Sequence, residues 1–204
     1  DTIDSRCLNE LLKLKSNYAN IQKTCKINNN YLTLKGDIIH RTSAAAQLLS
    51  NSVAKALMFL GEKKELETRN WLETAQFIKL ANDWFDVMNS FFCHVNKSKN
   101  AFRSDENQAG ILSAMIDTMY HATVNESQPA FAKGVIISSK SVPSLFFDLK
   151  IRHLCPFVYT RKINLDAIHK LFTKVKKLEA TNNQSFDTAF QKMLKKYIVE
   201  VAGL

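Results

Sequence analysis

The stretch NWLETAQFIKLANDWFDVMNSFFC, residues 70–93, decides the fold. Trp71, Leu72, Ala75, Ile78, Leu80, Ala81, Trp84, Phe85, Met88, Phe91 and Phe92 recur at helical spacing and cover most of a helix circumference. A helix apolar on nearly every side belongs inside a bundle, so the rest of the chain should supply helices to surround it. Upstream, Ser5 is placed to cap a helix through LNELLKLKSNYANI, with Leu8, Leu11, Leu12 and Tyr18 near one face. A second helix is expected from about Thr42 to Leu60, striped by Ala45, Leu48, Leu49, Val53 and Leu57 and stopped by Gly61. Downstream, the polar NKSKNAFRSDENQ (96–108) reads as a loop, and Ile111, Leu112, Met115, Ile116 and Met119 stripe a helix over about 107–123. Pro129 and Gly134 frame a connector in which the β-branched GVIIS (134–138) reads as a short extended segment. Ser141 and Pro143 then read as the cap and early proline of a helix through SLFFDLKIRH. Asn164 is placed to cap a helix at about 165–179, and Ser185 precedes a last one ending at Gly203.

Composition agrees with this all-α, multi-helix bundle. Only five Gly and three Pro occur in 204 residues, too few for the frequent turns of a sandwich or barrel. An apolar content of 46% excludes a disordered or low-complexity chain. No apolar run approaches the eighteen or so residues of a membrane span, and DTIDSRCLNELLK at the start lacks the pattern of a secretory signal. The absence of an initiator Met leads us to expect a piece of a longer protein. Cys7, Cys25, Cys93 and Cys155 are scattered and form no close pair, which argues against zinc and for buried, reduced, intracellular thiols. The 28 Lys and Arg against 19 acids give a net charge of +9, which calls for an anionic partner without identifying it.

Common chemical signatures are absent: no GxxxxGK[ST], GxGxxG, GxSxG or HExxH occurs. His40, His94, His121, His153 and His169 are isolated along the chain and read as surface or core residues rather than ligands. Residue patterns alone therefore end at a basic helical bundle.

One motif goes further. FIKLANDWFDVMNS (77–90) resembles the signature of P-element-type transposases, in the helical guanine-nucleotide-binding insertion of their RNase H-like catalytic domain. Four other stretches resemble the family in the same order: RTSAAAQLLSNSVAKAL (41–57), FAKGVIISSKSVPSLF (131–146), VYTRKINLDAIHKLF (158–172) and FDTAFQKMLKKYIV (186–199). The resemblance spans about residues 20–200. It implies an insertion domain over 1–160, followed by basic C-terminal helices over 161–204 that resemble the end of the catalytic domain and the region after it.

Carried over position by position, the resemblance implies a guanine-nucleotide site made of Lys26, Arg41, Thr42, Phe85, Asp86, Asn89 and Asp166. The chemistry is coherent. A carboxylate such as Asp166 can accept from the adjacent N–H groups of guanine, and Phe85 can stack on the base. Lys26 and Arg41 offer cations to phosphates in place of a glycine-rich loop. Asp86 and Asn89, at i and i+3, could meet a Mg²⁺ or its waters. Read without the resemblance, Phe85 is plain core, Asp86 a helix-surface acid and Asp166 a first-turn charge.

The departures bear on catalysis. Where the family places a catalytic glutamate, three residues after the late aspartate, this chain has His169, and an imidazole is a poor substitute for a carboxylate in holding Mg²⁺. The family's two earlier catalytic aspartates belong to a region N-terminal to this chain. LEATNNQS (178–185) stands where the family has a glycine pair. No phosphoryl transfer is expected from this chain, which reads as a domesticated, non-catalytic derivative.

Charge is uneven as well. Residues 161–204 hold nine Lys or Arg against four acids, with Lys170, Lys174 and Lys177 on one helical stripe and Lys192, Lys195 and Lys196 further on. These can track DNA phosphates without reading sequence, and no aromatics interleave them to stack on bases. Two readings remain open. One is a nuclear protein-interaction or scaffold module, with nuclear or chromatin proteins, a second copy or the DNA backbone as partners and a separate THAP-type zinc finger choosing the target, as the resemblance implies. The other is a GTP- and Mg²⁺-binding domain that does not hydrolyse its nucleotide and stabilises an assembly.

Overall fold

The computed structural model describes residues 2–33, 42–91, 99–164, 172–177 and 185–202. Its helices are α1 (Arg6–Leu14), α2 (Ala19–Thr24), α3 (Asn29–Thr33), α4 (Thr42–Leu48), α5 (Asn51–Glu62), α6 (Trp71–Met88), α7 (Glu106–His121), α8 (Ala130–His153), α9 (172–177) and α10 (Phe186–Ala202). Short 3-10 turns lie at Lys15–Asn17 and Thr160–Lys162. Among the described residues there is no strand, only isolated bridges such as Phe102 with Val158, and no helix is long and apolar enough to cross a membrane. The fold is all-α.

Within the stretch 70–93, Trp71–Met88 form the central helix, which ends short of the expected Cys93; residues 92 and 93 lie outside the described residues. α6 packs on α5 along one side and on α7 along another, while α7 pairs with α8. Its front half gives Ala75 and Ile78 to a core shared with Leu11, Ile21, Val53, Leu57 and Leu60. Its middle and rear give Ala81 and Val87 to two further cores built with Met115, Ile136, Phe102 and Phe146. Leu72 and Phe85 nevertheless face outward, so the helix is central without being enclosed on all sides.

Three local expectations differ from the structure. The helix foreseen over 42–60 is broken at Ser50, whose ψ of 153° is extended. The cause is remote: Asn82 Oδ1 on α6 accepts from the Asn51 N–H at 3.1 Å and so caps a new helix start. Gly61 does not stop α5, which continues to Glu62 and ends before Lys64 at φ 60°. What Gly61 supplies is proximity, because a Cβ there would sit 2.2 Å from the Trp71 ring. At the N-terminus, Ser5 makes no side-chain cap bond, and Asp4 Oδ1 accepts the Arg6 N–H instead, at 2.9 Å.

The largest correction concerns 134–138. These residues are not extended; they lie inside the 24-residue helix α8, and Pro143 is interior to it rather than near its start. Ala132, Ile136, Ser139, Val142 and Phe146 are all buried at spacings of three and four, one continuous helical stripe. Burial of that stripe against α6 and α7 outweighs the local preference of Val135, Ile136 and Ile137. Pro143 has no N–H to give the Ser139 carbonyl. Around it, Ser141 Oγ donates to the Ile137 carbonyl at 2.8 Å and Ser144 Oγ to the Lys140 carbonyl at 3.1 Å.

At the start of α7 the N-cap Asp105 accepts from the Gln108 N–H at 2.8 Å, and the buried Gln108 side chain reaches back to accept from the Arg103 N–H at 2.9 Å. Cys7, Cys25 and Cys155 are free, and burial pushes the Cys7 and Cys25 thiols up. Cys93 and the expected start of the helix after Asn164 lie outside the described residues.

Candidate functional site

The rear end of α6 opens onto a cavity of about 710 Å³, walled by α4, α8 and the segment 160–164. Its floor begins with Trp84, whose Nε1 donates to Ser139 Oγ on α8 at 2.8 Å, and Ser139 Oγ donates in turn to the Val135 carbonyl. Next to it, Phe85 lines the same cavity and is 41% exposed. At the helix end, Asn89 has left helical geometry, with φ −128° and ψ 29°. Its Oδ1 accepts from Asn164 Nδ2 at 3.2 Å, so two amides meet on one wall.

That wall is held by a latch. Thr160 Oγ1 donates to the Val87 carbonyl at 2.6 Å and accepts the Ser90 N–H at 2.8 Å, while the Arg161 N–H bonds the Ser90 carbonyl at 3.2 Å. Carbonyls at a helix C-terminus have no intrahelical donors, and Thr160 supplies one to Val87 from 73 residues away. Ser43, Ser138 and Ser141 add hydroxyls to the cavity, and Ile137, Val142 and Ile163 add apolar surface. None of these polar groups carries a sequence motif, and none was foreseen; only the resemblance led to Phe85 and Asn89.

The remaining expected site residues are distributed differently. Asp86 does not line the cavity. Its Oδ2 accepts from Asn82 Nδ2 at 3.3 Å and faces Lys99 Nζ at 3.8 Å. Burial pushes the Asp86 carboxyl above its ordinary value, with Lys99 opposing. Asp86 and Asn89 are thus engaged with different partners, and among the described residues no group of three His, Cys, Asp or Glu is arranged to hold a metal. Lys26 is exposed between buried Cys25 and Ile27, on the connector that packs into the front core, away from the cavity lining. Thr42 opens α4, next to cavity residue Ser43, and its side chain lies outside the described residues, as do Arg41, Asp166, His169 and Lys170. Along the chain, Arg41 is two residues from Ser43 and Asp166 two from Asn164, both of which line the cavity. Lys174 and Lys177 are exposed on α9, as are Lys192, Lys195 and Lys196 on α10. The expected division at 160/161 falls within the latch turn.

The described walls suit a flat, polar-edged ring: an open aromatic face, two amides and several hydroxyls around an apolar floor. They include no Lys or Arg, so a polyphosphate would need a cation from outside these walls, with Arg41 two residues from Ser43 along the chain.

Comparison with known proteins agrees with the motif. Residues 1–101 match the family described as TNP-like, GTP-binding insertion domain. The chain is 26% identical over 209 residues to the Transposable element P transposase of Drosophila melanogaster, covering 99% of this chain and 27% of that protein. It is 24% identical over 178 residues to the human DNA transposase THAP9, covering 82% of this chain and 20% of that one. A solved structure, the Drosophila P element transposase strand transfer complex, superposes with a TM-score of 0.77 at 25% identity, over 98% of this chain and 46% of the other. The chain is of the P-element transposase type. This P-element-type chain spans about a quarter of the length of its curated relatives. The structural match runs well past residue 101, so the shared architecture extends beyond the insertion-domain match and takes in α7 and α8.

Proposed function

We propose that this P-element-type chain is a non-catalytic, guanine-nucleotide-binding module whose cavity receives the base. The observation that carries this reading is the cavity itself: Phe85 and Asn89, the two family positions inside it, face one space with Asn164 and three serines. The ring of Phe85 takes one face of the base, and Asn89 and Asn164 offer amide donors and acceptors to its edge. Asp166 reads the guanine N–H groups, and Arg41 meets the phosphates. Asp86, on the same helix as Phe85 though outside the cavity lining, is the carboxylate that would hold a Mg²⁺ accompanying the nucleotide, and the ion would supply neutralisation of phosphate charge. Bound nucleotide bridges α4, α6, α8 and the 160–164 segment and so stabilises an assembly. His169, in the position of the family's catalytic glutamate, supports a role in binding without strand transfer.

The test is thermal denaturation with GTP, GDP and ATP in the presence of Mg²⁺. Nucleotide at 100 times its Kd adds about 2.7 kcal/mol of stability, a shift of several degrees. The expected result is a shift with GTP and GDP that is much smaller with ATP and is lost in Asp166→Asn. No shift at millimolar GTP, or an equal shift with ATP, would overturn the reading.

A second reading is favoured by the exposed lysines of α9 and α10 and by the apolar surface of α8, where Phe147, Ile151 and Leu154 stand open. In it the chain is a nuclear scaffold that contacts nuclear or chromatin proteins or a second copy, with sequence-independent affinity for the DNA backbone. The lysines supply phosphate contacts and the α8 surface supplies a partner face.

A further inference from the structure

Besides the stripe it buries, α8 carries a second one. Pro143, Phe147, Lys150, Ile151 and Leu154 are linked by steps of three and four, so they share one face of the helix. That face lines a groove of about 950 Å³, to which Arg103, Cys155 and Pro156 also contribute. Phe147 is 65% exposed, Ile151 63% and Leu154 85%.

Leu154 is unusual in its backbone as well. It ends α8 in the left-handed region, with φ 52° and ψ 29°, and its N–H bonds the Leu149 carbonyl. Glycine is the ordinary occupant of such a cap, because a Cβ is disfavoured there. A leucine at this strained position, standing open to solvent, gives little to the core. Its side chain gains contact only from something that settles on the groove.

The groove is one-sided in charge. Arg103 and Lys150 line it and no Asp or Glu does. Among the described residues neither cation enters an ion pair. The single acid of α8, Asp148, pairs with Arg152 at 2.6 Å and lies outside the lining.

Granted that α8 offers a partner face, as in the second reading, we propose that its groove receives an acidic amphipathic helix from another protein. From Pro143 to Leu154 the stripe runs about 16 Å or three helical turns, a length over which one helix can lie along another. Leucines at i, i+3, i+4 and i+7 of the incoming helix meet Phe147, Ile151 and Leu154, and flanking Glu or Asp meets Arg103 and Lys150. A second copy fits less well, since a two-fold pairing sets identical patches together and brings these cations toward their counterparts. A nucleic-acid strand would satisfy the cations and leave the three apolar side chains in water.

The experiment is fluorescence anisotropy of the whole chain with a fluorescein-labelled peptide of about eighteen residues, with Leu at those spacings and Glu and Ala elsewhere. Its control keeps the Leu pattern and has Lys for every Glu. The acidic peptide should bind about tenfold or more tighter than the basic one, by a margin that shrinks with salt. Phe147→Ser, at an exposed side chain, should weaken binding about tenfold. Lys150→Glu should narrow the preference for the acidic peptide. Leu154→Gly separates binding from folding: it relieves the cap, so the thermal midpoint should stay level or rise while the peptide binds about threefold or more weaker. Equal binding of the basic peptide, or unchanged affinity in Phe147→Ser and Leu154→Gly, would overturn the proposal. Light scattering separates that failure from failure of the partner-face reading. A dimer lost in Phe147→Ser would put a second copy in the groove, overturning the acidic helix and keeping α8 as a partner face. A monomer that binds neither peptide would remove both.

Discussion

The front and rear of α6 are built on different terms. At the front, Ile78 and Ala75 meet Leu11, Val53, Leu57 and Leu60 in a closed core where even the cysteines are buried. At the rear, the same helix turns Phe85 outward, ends at Asn89 and relies on Thr160 from a distant segment to satisfy its carbonyls. The first region leaves a cavity of only about 360 Å³ on its flank, whereas the second opens a space of about 710 Å³ with an exposed ring and polar groups gathered from four segments. A rigid front supports a rear whose shape is free to serve binding. The two regions should therefore respond oppositely to substitution.

The strongest way to break that contrast is a matched pair on the two halves. Leu57 is fully buried in the front core, so Leu57→Ala should lower stability by about 2–5 kcal/mol, read as the loss in a denaturant titration. Phe85→Ala, at a ring already 41% exposed, should change stability far less and should abolish the thermal shift given by GTP. If Phe85→Ala proved as destabilising as Leu57→Ala, the rear would be core and the contrast would fail.

A smaller effect tests whether the latch holds the rear alone. Thr160→Val keeps the shape but removes the donor to Val87 and the acceptor for Ser90, both buried. Leaving such groups unsatisfied costs about 1–3 kcal/mol. Hydrogen exchange should rise at Ser90 and Arg161 while the amides of α5 keep their protection. Uniform loss of protection would mean that front and rear unfold as one unit.

How far the sequence could be read obeys the same division. α6 was legible because its apolar residues are dense and its period is unbroken from Trp71 to Met88. α8 was not, because its stripe passes through Ser139 and crosses Pro143. Ser139 is polar yet buried, since its hydroxyl serves Trp84, and that partnership is invisible along the chain. The break between α4 and α5 was hidden for a related reason, its capping group being Asn82, 31 residues away. In the candidate site, Phe85 and Asn89 were reachable through the motif they share with a family. Ser138, Ser141, Thr160 and Asn164 were not, because small polar residues from separate segments leave no local pattern.

The smallest predicted effect lies at the boundary of the two regions, at Asp86. Burial raises its carboxyl above the ordinary value near 3.8, and Lys99 only partly offsets this. The folded state therefore binds the proton more tightly than the unfolded chain does. Stability from this group is fullest below the ordinary carboxylate value and declines as pH rises through the higher folded value, the reverse of a salt-bridged acid. Asp86→Asn removes the titration, so at pH 7 the variant should match or slightly exceed the parent, by no more than about 1 kcal/mol. Lowering the pH should erase that advantage as the parent's carboxyl takes up its proton. Denaturant titrations at several pH values would show this, and repeating them with Mg²⁺ and GTP sharpens the assignment. If Asp86 serves the nucleotide through Mg²⁺, the parent should gain more from the ligand than the variant. Equal gains would leave Asp86 as a strained neighbour of the cavity and confine nucleotide recognition to the wall that Phe85, Asn89 and Asn164 form.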